Sequence, residues 1–529
     1  MLIPTADSVH FRVQRWPNCR IDWHAPALCR LPLQFAVGLP VVSEDGPPPA
    51  SADQCVELIA ERYGGQGLRM NGGGVRCGNL GTMQVKGIGA NLLAGEGTDF
   101  WHRHGALSLQ DAVRETIWGE LIHHALPFGA VRAGAVLTTG TRFAVEVGEE
   151  KAPGWVPRAL LVRELALRPA HFMRSVFFRP SAATAHLPSD AARTRDACGE
   201  ALPHLRLALS AVSWTNSAAP GLPNISADGA AAQPSLGDCW REVWRRAAWQ
   251  LAAACAKRLM HGTLTASNIA VDGRWLDFGT CTALRDHGRA IVAVDAKDLW
   301  SQDQIVLAAI DDLAFYQWKY LDRPAYDALA VAQWPQLFKR TYEARLAMEF
   351  AKLSGIPESL LLGLNTALVR SFSLTALRVA RQGTRRPYLY FGGGSHPMPT
   401  RSGRNDLSAA LRTLAILDSQ PDANEALAKD VLDEPLRGNL IASFFSLRTA
   451  ALATSSAAAR PSAAISLADQ CKRANTPLDA LFRHTFDSGV DAVVRAGGSV
   501  RHHIDDVLTE CLPLVADSRF AAVAPPFTA

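Results

Sequence analysis

The chain has 529 residues, enough for two or three domains or one large two-lobed unit with extensions, and enough to bury a sizeable core. Apolar residues make up 48% and charged residues 20%, which excludes wholesale disorder, and a formal net charge of +4 dispersed along the chain gives no nucleic-acid footprint. No run of about 18 apolar residues offers a membrane span. The opening MLIPTADSVHFRVQRW has neither the charged head nor the unbroken apolar run of a secretory signal, so the expectation is a cytoplasmic protein.

In chain order, residues 1–62 read as an N-terminal arm, with a turn-rich piece at 43–51 that carries Gly46 and three prolines. Residues 63–215 alternate short β-like runs with one helix. Strands are expected at Met83–Lys86 and at 135–139. A helix is expected over 108–125, where Leu109, Ala112, Val113, Ile117 and Leu121 recur at helical spacing; Ser108 would cap it, with Asp111 in its first turn. Residues 216–238 and 450–464, rich in Ala and Ser, read as surface linkers. Between them, 239–449 is expected to be mainly helical, with apolar-periodic stretches at 239–260, 298–318, 324–352 and 359–381. Residues 465–529 form a further helical segment. Ten scattered cysteines with no C-x-x-C pair point to reduced, mostly buried thiols, and no function attaches to Cys511. The glycine run at 391–396 reads as a loop, because no helix clearly starts behind it to cradle a phosphate.

The most specific chemical signal is His261 to Gly279, HGTLTASNIAVDGRWLDFG. A protein-kinase catalytic loop has the spacing H-R-D-x-x-x-x-N followed by D-F-G, and here His261, Asn268 and Asp277-Phe278-Gly279 keep it. Two short strands, 269–271 and 275–276, joined by a turn at Asp272-Gly273, would fold the chain back and bring Asn268 and Asp277 together. An amide oxygen and a carboxylate suit Mg²⁺, a hard cation that completes its shell with phosphate and water. The kinase loop aspartate is replaced by Thr263, which disfavours ordinary kinase chemistry. A small α/β N-lobe followed by a larger, mainly helical C-lobe, with a nucleotide cleft between them, makes the expected class an α+β, protein-kinase-like two-lobed fold with a helical C-terminal extension.

These motifs, with those upstream, resemble the SelO family of pseudokinase-type protein adenylyltransferases, whose loop reads H-G-x-x-x-T-D-N with a later D-[FY]-G. Tyr63-Gly64-Gly65-Gln66-Gly67 and Gly72-Gly73-Gly74-Val75-Arg76 are similar to the family's glycine-rich segments, and Met83-Gln84-Val85-Lys86-Gly87-Ile88-Gly89 to its L-Q-L-K-G-A-G. Ala112-Val113-Arg114-Glu115 and Leu126 to Arg132 follow in the same order. The resemblance spans about Tyr63 to Leu284. It implies ATP with Mg²⁺ or Mn²⁺ as ligands, Asn268 and Asp277 as metal ligands, and Lys86 on the phosphates, held there by Glu115. Gly74, Arg76, Gly105, Arg163 and Arg174 would contact nucleotide, with Arg168 competing for one arginine role. The implied reaction is AMP transfer to a Ser, Thr or Tyr hydroxyl of a protein or peptide acceptor. At the position of the family's basic aspartate stands Ser267, and the second G-D-G-R becomes Arg103-His104-Gly105-Ala106. Another ATP-dependent transferase of ligation type and a nucleotide-binding pseudoenzyme remain as alternatives.

Overall fold

The computed structural model describes residues 3–26, 32–39, 55–68, 70–98, 100–147, 152–210, 233–288, 297–383, 405–417, 420–428, 432–483 and 489–517. The sequence motif at 391–396 and most of the 216–238 stretch lie outside them.

Nine strands form one sheet: β1 (Ser8–Arg15), β2 (Arg20–His24), β3 (Val37–Gly38), β4 (Cys55–Glu61), β5 (Cys77–Leu80), β6 (Met83–Lys86), β7 (Leu107–Ser108), β8 (Ala133–Val147) and β9 (Ala152–Glu164). Their order is β2-β8-β9-β6-β5-β4-β1-β3, with β7 also on β9, and every pairing is antiparallel. The stretch expected as an arm therefore supplies four strands of this sheet. Its alternation shows why: Val9, Phe11 and Val13 are buried at every second position of β1, so one face must pack. On the β8–β9 hairpin, Val136 and Leu161 point to one face while Leu137, Leu160 and Val162 point to the other. The first face meets a helix.

Four helices precede the helical part: α1 (Phe100–Arg103), α2 (Leu109–Ala125), α3 (Asp190–Gly199) and α4 (Ala201–Ser210). The expected cap of α2 is present, with the Ser108 hydroxyl accepting from the Asp111 N–H at 3.0 Å. Ala112, Val113, Ile117, Trp118 and Leu121 of α2 are buried on the sheet.

The helical part contains α5 (Leu236–Ala256), α6 (Asp303–Tyr320), α7 (Arg323–Leu329), α8 (Trp334–Lys352), α9 (Glu358–Leu361), α10 (Thr366–Arg381), α11 (Leu407–Ala415), α12 (Gln420–Ala428), α13 (Leu436–Ala453), α14 (Arg460–Ala474), α15 (Asp479–Arg483), α16 (Val490–Arg495) and α17 (Val500–Val515). The molecule is thus mixed α+β, with a sheet-containing N-terminal region and a helical C-terminal region. Ser235 and Asp238 cap α5 reciprocally, and Trp240 and Trp244 stack at 6.2 Å beside Trp334 of α8. The stretch 324–352, which periodicity reads as one helix, is split by Ala330 in the left-handed region (φ 52°). Residues 450–464 lie largely inside α13 and α14. At the chain's far end α17 packs back on α2, fastened where the Asp517 N–H donates to the His124 carbonyl at 2.9 Å.

None of the nine described cysteines forms a disulfide, and seven of them are buried. Among the described residues no helix is long and apolar enough to cross a membrane.

Candidate functional site

A cleft of about 920 Å³ is walled on one side by the sheet and its glycine-rich segment and on the other by residues 263–280 and the start of α6. Gly74, Arg76, Lys86, Arg163, Arg168, Ser267, Asn268 and Asp277 all line it, joined by Tyr63, Cys77, His102, Thr263, Thr265 and Lys297.

Lys86 ends β6 and points across to α2. The residue is 1% exposed, and its ammonium contacts the Glu115 carboxylate and donates to Asp277 Oδ1 at 2.6 Å. Residues 29 and 191 positions away thus meet on one cation. Glu115 sits behind Lys86, also 3.7 Å from Arg163. Asp277 keeps 40% of its side chain exposed, toward the cleft. Burial works to raise its pKa, but Lys86, then Arg76 and Arg163, outweigh that and hold the carboxyl well below the usual range. Arg76 answers in kind: burial would lower it, while Asp277 and Glu115 raise it. Asp277 is ionised throughout the neutral range.

The loop before it is fixed by His261. This imidazole is fully buried against Trp275 and Phe278, and burial lowers its pKa. Nε2 donates to the Leu276 carbonyl at 2.9 Å, next to Asp277, and Nδ1 accepts from the Thr263 N–H at 3.4 Å. Gln302, one residue before α6, accepts from the His261 and Gly262 N–H groups at 3.0 and 2.9 Å. The expected hairpin forms as a single bridge, Ile269 to Trp275, with Gly273 at φ 94° in its turn. It does not extend into two strands; Trp275 also bridges to Ala130 on its other edge. Asp277 itself is left-handed (φ 66°, ψ 69°), a conformation that costs a non-glycine residue about 1 kcal/mol or more and is concentrated at functional sites.

Asn268 Nδ2 donates to the Thr263 carbonyl at 2.8 Å, which leaves Oδ1 as the atom able to face a cation. Among the described residues no cluster of three His, Cys, Asp or Glu side chains could hold a metal, so a cation here would rest on Asn268, Asp277 and oxygens of its ligand. That donor set fits Mg²⁺. The Ser267 hydroxyl lies 2.9 Å from Thr265 Oγ1 and, among the described residues lining the cleft, Asp277 is the only carboxylate. Thr263 Oγ1 is 2.9 Å from Thr280 Oγ1, which donates to the His261 carbonyl at 2.7 Å.

Two expected contacts are placed elsewhere. Arg174 does not line the cleft; its guanidinium lies 3.6 Å from Asp190 of α3. The tight turn Pro169–Phe172 after Arg168 sends the chain away, so of the three candidates in this segment Arg163 and Arg168 reach the cleft. Gly105 is also outside: it is left-handed (φ 64°), and a Cβ there would lie 2.1 Å from the Ala90 nitrogen, so its role is a close backbone crossing. Its neighbour His104 packs on Phe143 and accepts from the Ala106 N–H at 2.9 Å, and burial lowers its pKa to about 4.

One buried carboxylate organises both arginines. Glu61 accepts from Gln84 at 3.0 Å and from Asn79 at 2.9 Å, and lies 3.6 Å from Arg168; Gln84 Oε1 in turn accepts from Arg163 Nε and Nη2 at 2.9 and 2.6 Å. Burial opposes ionisation of Glu61, but His171, Arg168 and Asn79 bring its pKa down to about 2. Glu61, Gln302, His102 and Lys297 carried no motif; Glu61 stands out of phase with the buried Leu58 and Ala60 of β4, on its other face. No family model matches the chain, and no curated protein matches it.

Proposed function

We propose that this chain is an ATP- and metal-dependent protein or peptide adenylyltransferase on a protein-kinase-like scaffold, a divergent relative of the SelO family. The observation that carries the reading is the meeting of Glu115 and Asp277 on the Lys86 ammonium, beside Asn268, in a cleft with four further cationic side chains, Arg76, Arg163, Arg168 and Lys297, and one carboxylate. Such a charge balance suits a polyphosphate. Guanidinium forks and an ammonium give fixed and mobile donors to its oxygens, and glycine at 73 and 74 lets backbone approach.

In this reading Asn268 Oδ1 and the Asp277 carboxylate hold Mg²⁺ or Mn²⁺, which supplies charge neutralisation on the phosphates. The acceptor hydroxyl oxygen forms a bond to the α-phosphorus, the bond from that phosphorus to the bridging oxygen breaks, and pyrophosphate leaves with the electron pair. Lys86 and the arginines stabilise the charge that develops on the phosphate oxygens. Ser267 orients the acceptor and takes no proton, since a serine hydroxyl is a poor base at neutral pH; the hydroxyl proton passes to water or the leaving pyrophosphate.

One observation favours a second reading. With no carboxylate but Asp277 in the described cleft, a catalytically silent ATP-binding protein would need nothing more than is present. Incubation with α-labelled and, separately, γ-labelled ATP plus Mg²⁺ or Mn²⁺, beside Asp277→Ala, separates the readings. Protein-bound label from the α position alone, lost in the variant, is the expected result. Label from the γ position makes the chain a kinase. ATP-dependent thermal stabilisation without label makes it a pseudoenzyme. Pyrophosphate release that depends on an added amino acid or peptide amine makes it a ligase.

A further inference from the structure

The helix that closes the cleft continues beyond it. Gln304, Ile305 and Ala308 of α6 line the cleft, while Val306, Ala309, Ile310, Leu313, Tyr316 and Gln317 turn into the core. Along the outer face, Gln304, Ala308, Asp311, Phe315 and Trp318 follow one another at spacings of three and four residues, so they form one stripe running outward from the cleft wall. Phe315 is 48% and Trp318 54% exposed, and their rings lie 5.8 Å apart. Two neighbouring large aromatics left in water on a helix form an apolar patch of the kind that marks a binding surface.

Between cleft and patch stands a carboxylate pair. Asp311 is exposed, and Asp312 is half-buried, with Gln66 of the cleft wall hydrogen-bonded to it. Among the described residues no cation pairs with either. Burial makes ionisation of Asp312 costly, the Gln66 hydrogen bond offsets part of this and the neighbouring Asp311 adds to it, so a cation brought by a partner would relieve the pair. Lys319, the basic residue nearest in sequence, is 5.8 Å above the Phe315 ring instead.

We propose that the outer face of α6 docks the acceptor polypeptide, and that this acceptor carries a basic residue followed by a large apolar one at set distances from its reacting hydroxyl. The proposal rests on the AMP-transfer reading for the hydroxyl but not for the docking. At about 1.5 Å per helical residue, Asp311 lies about 5 Å and Trp318 about 15 Å beyond Ala308. An extended chain advances about 3.3 Å per residue, so an acceptor whose hydroxyl-bearing residue enters the cleft beside Ala308 carries the basic residue about one to two positions and the apolar residue about five positions beyond it.

The probe is a fluorescein-labelled peptide with a central serine, lysine two positions away on each side and phenylalanine five positions away on each side, so that either chain direction serves. Its binding to the full chain is read by anisotropy, beside a control with glutamate for lysine and serine for phenylalanine. Phe315→Ser with Trp318→Ser is expected to weaken binding about tenfold or more, and Asp311→Asn with Asp312→Asn to remove its salt dependence, all with unchanged Mg²⁺-ATP binding. Equal binding of probe and control, or of wild type and variants, overturns the proposal. So does conversion of a wild-type dimer to monomer by the aromatic variant, which would make a second copy the occupant. If the variants lose the probe but no serine is ever labelled by α-labelled ATP, the docking surface stands and the AMP-transfer reading falls.

Discussion

Lys86 and Glu115 provide the sharpest energetic test of how the cleft is held. Lys86 is 1% and Glu115 5% exposed, and the pair ties β6 to α2 across the sheet face. Removing one partner of a buried pair strands the other charge, at a cost of about 3–5 kcal/mol. Lys86→Met leaves Glu115 with Arg163 at 3.7 Å, so the lower end, about 3 kcal/mol, applies; the lost contact to Asp277, whose side chain is 40% exposed, adds less than about 1 kcal/mol after screening by water. Glu115→Gln leaves Lys86 its contact to Asp277 and should cost about 2–3 kcal/mol. The double variant strands neither charge and should fall about 2 kcal/mol short of the sum. Urea unfolding of all four proteins, with the slope constant, measures this. Additivity within about 0.5 kcal/mol, or single losses below about 1 kcal/mol, would refute the argument that the pair is a mutual requirement.

Two glycines of the same segment should behave oppositely. A Cβ on Gly64 would lie 2.0 Å from the Arg174 carbonyl carbon, so Gly64→Ala should destabilise by about 3 kcal/mol and lower the melting temperature. At Gly74 the nearest atom is 3.5 Å away, so Gly74→Ala should melt like wild type while weakening Mg²⁺-ATP binding, measured by calorimetry; unchanged affinity would remove Gly74 from the nucleotide site. His287 is fully buried beside Trp300 and Phe350, donates from Nε2 to the Ala256 carbonyl, and burial lowers its pKa to about 3. Because the folded pKa lies below the unfolded value of about 6.5, its contribution is intact above pH 6.5 and is lost as pH falls toward 3. The loss amounts to about 2 kcal/mol at pH 5. Replacement by Phe should flatten that part of the stability profile, and an unchanged slope in urea titrations from pH 7 to 5 would count against a neutral buried imidazole.

Much of the candidate site was legible because it is encoded locally or in motif order. Ser108 and Asp111 define a helix start from neighbours three residues apart, and Asp272-Gly273 marks a turn whatever surrounds it. Two helical turns from the Ser108 cap comes Glu115, on the face toward the sheet. His261, Asn268 and Asp277 keep a spacing that a tight turn converts into proximity. The bend at Ala330 was not legible, since nothing in its type signals a left-handed backbone.

What the sequence by itself determined about this protein is the set of chemistry-bearing groups and their order: a strand lysine, a helix glutamate, and a loop asparagine and aspartate around a glycine turn. Tertiary structure alone decided which long-range partners those groups meet. Arg168 enters the cleft while Arg174, six residues on, turns to Asp190, because a tight turn intervenes. The described strands within 1–62 joined the sheet because β1 pairs with β4 and β4 with β5, and their apolar face packs with Val85, Leu160 and Val162 of the later strands. Gly105 serves a backbone crossing at Gly89 and Ala90 that no local pattern announces. Capping, turns and periodicity depend on residues within a few positions and survive in any context. The turn separates the two arginines, but the charges they meet, Glu61 of β4 beside Arg168 and Asp190 of α3 beside Arg174, are brought to them only once the chain has packed.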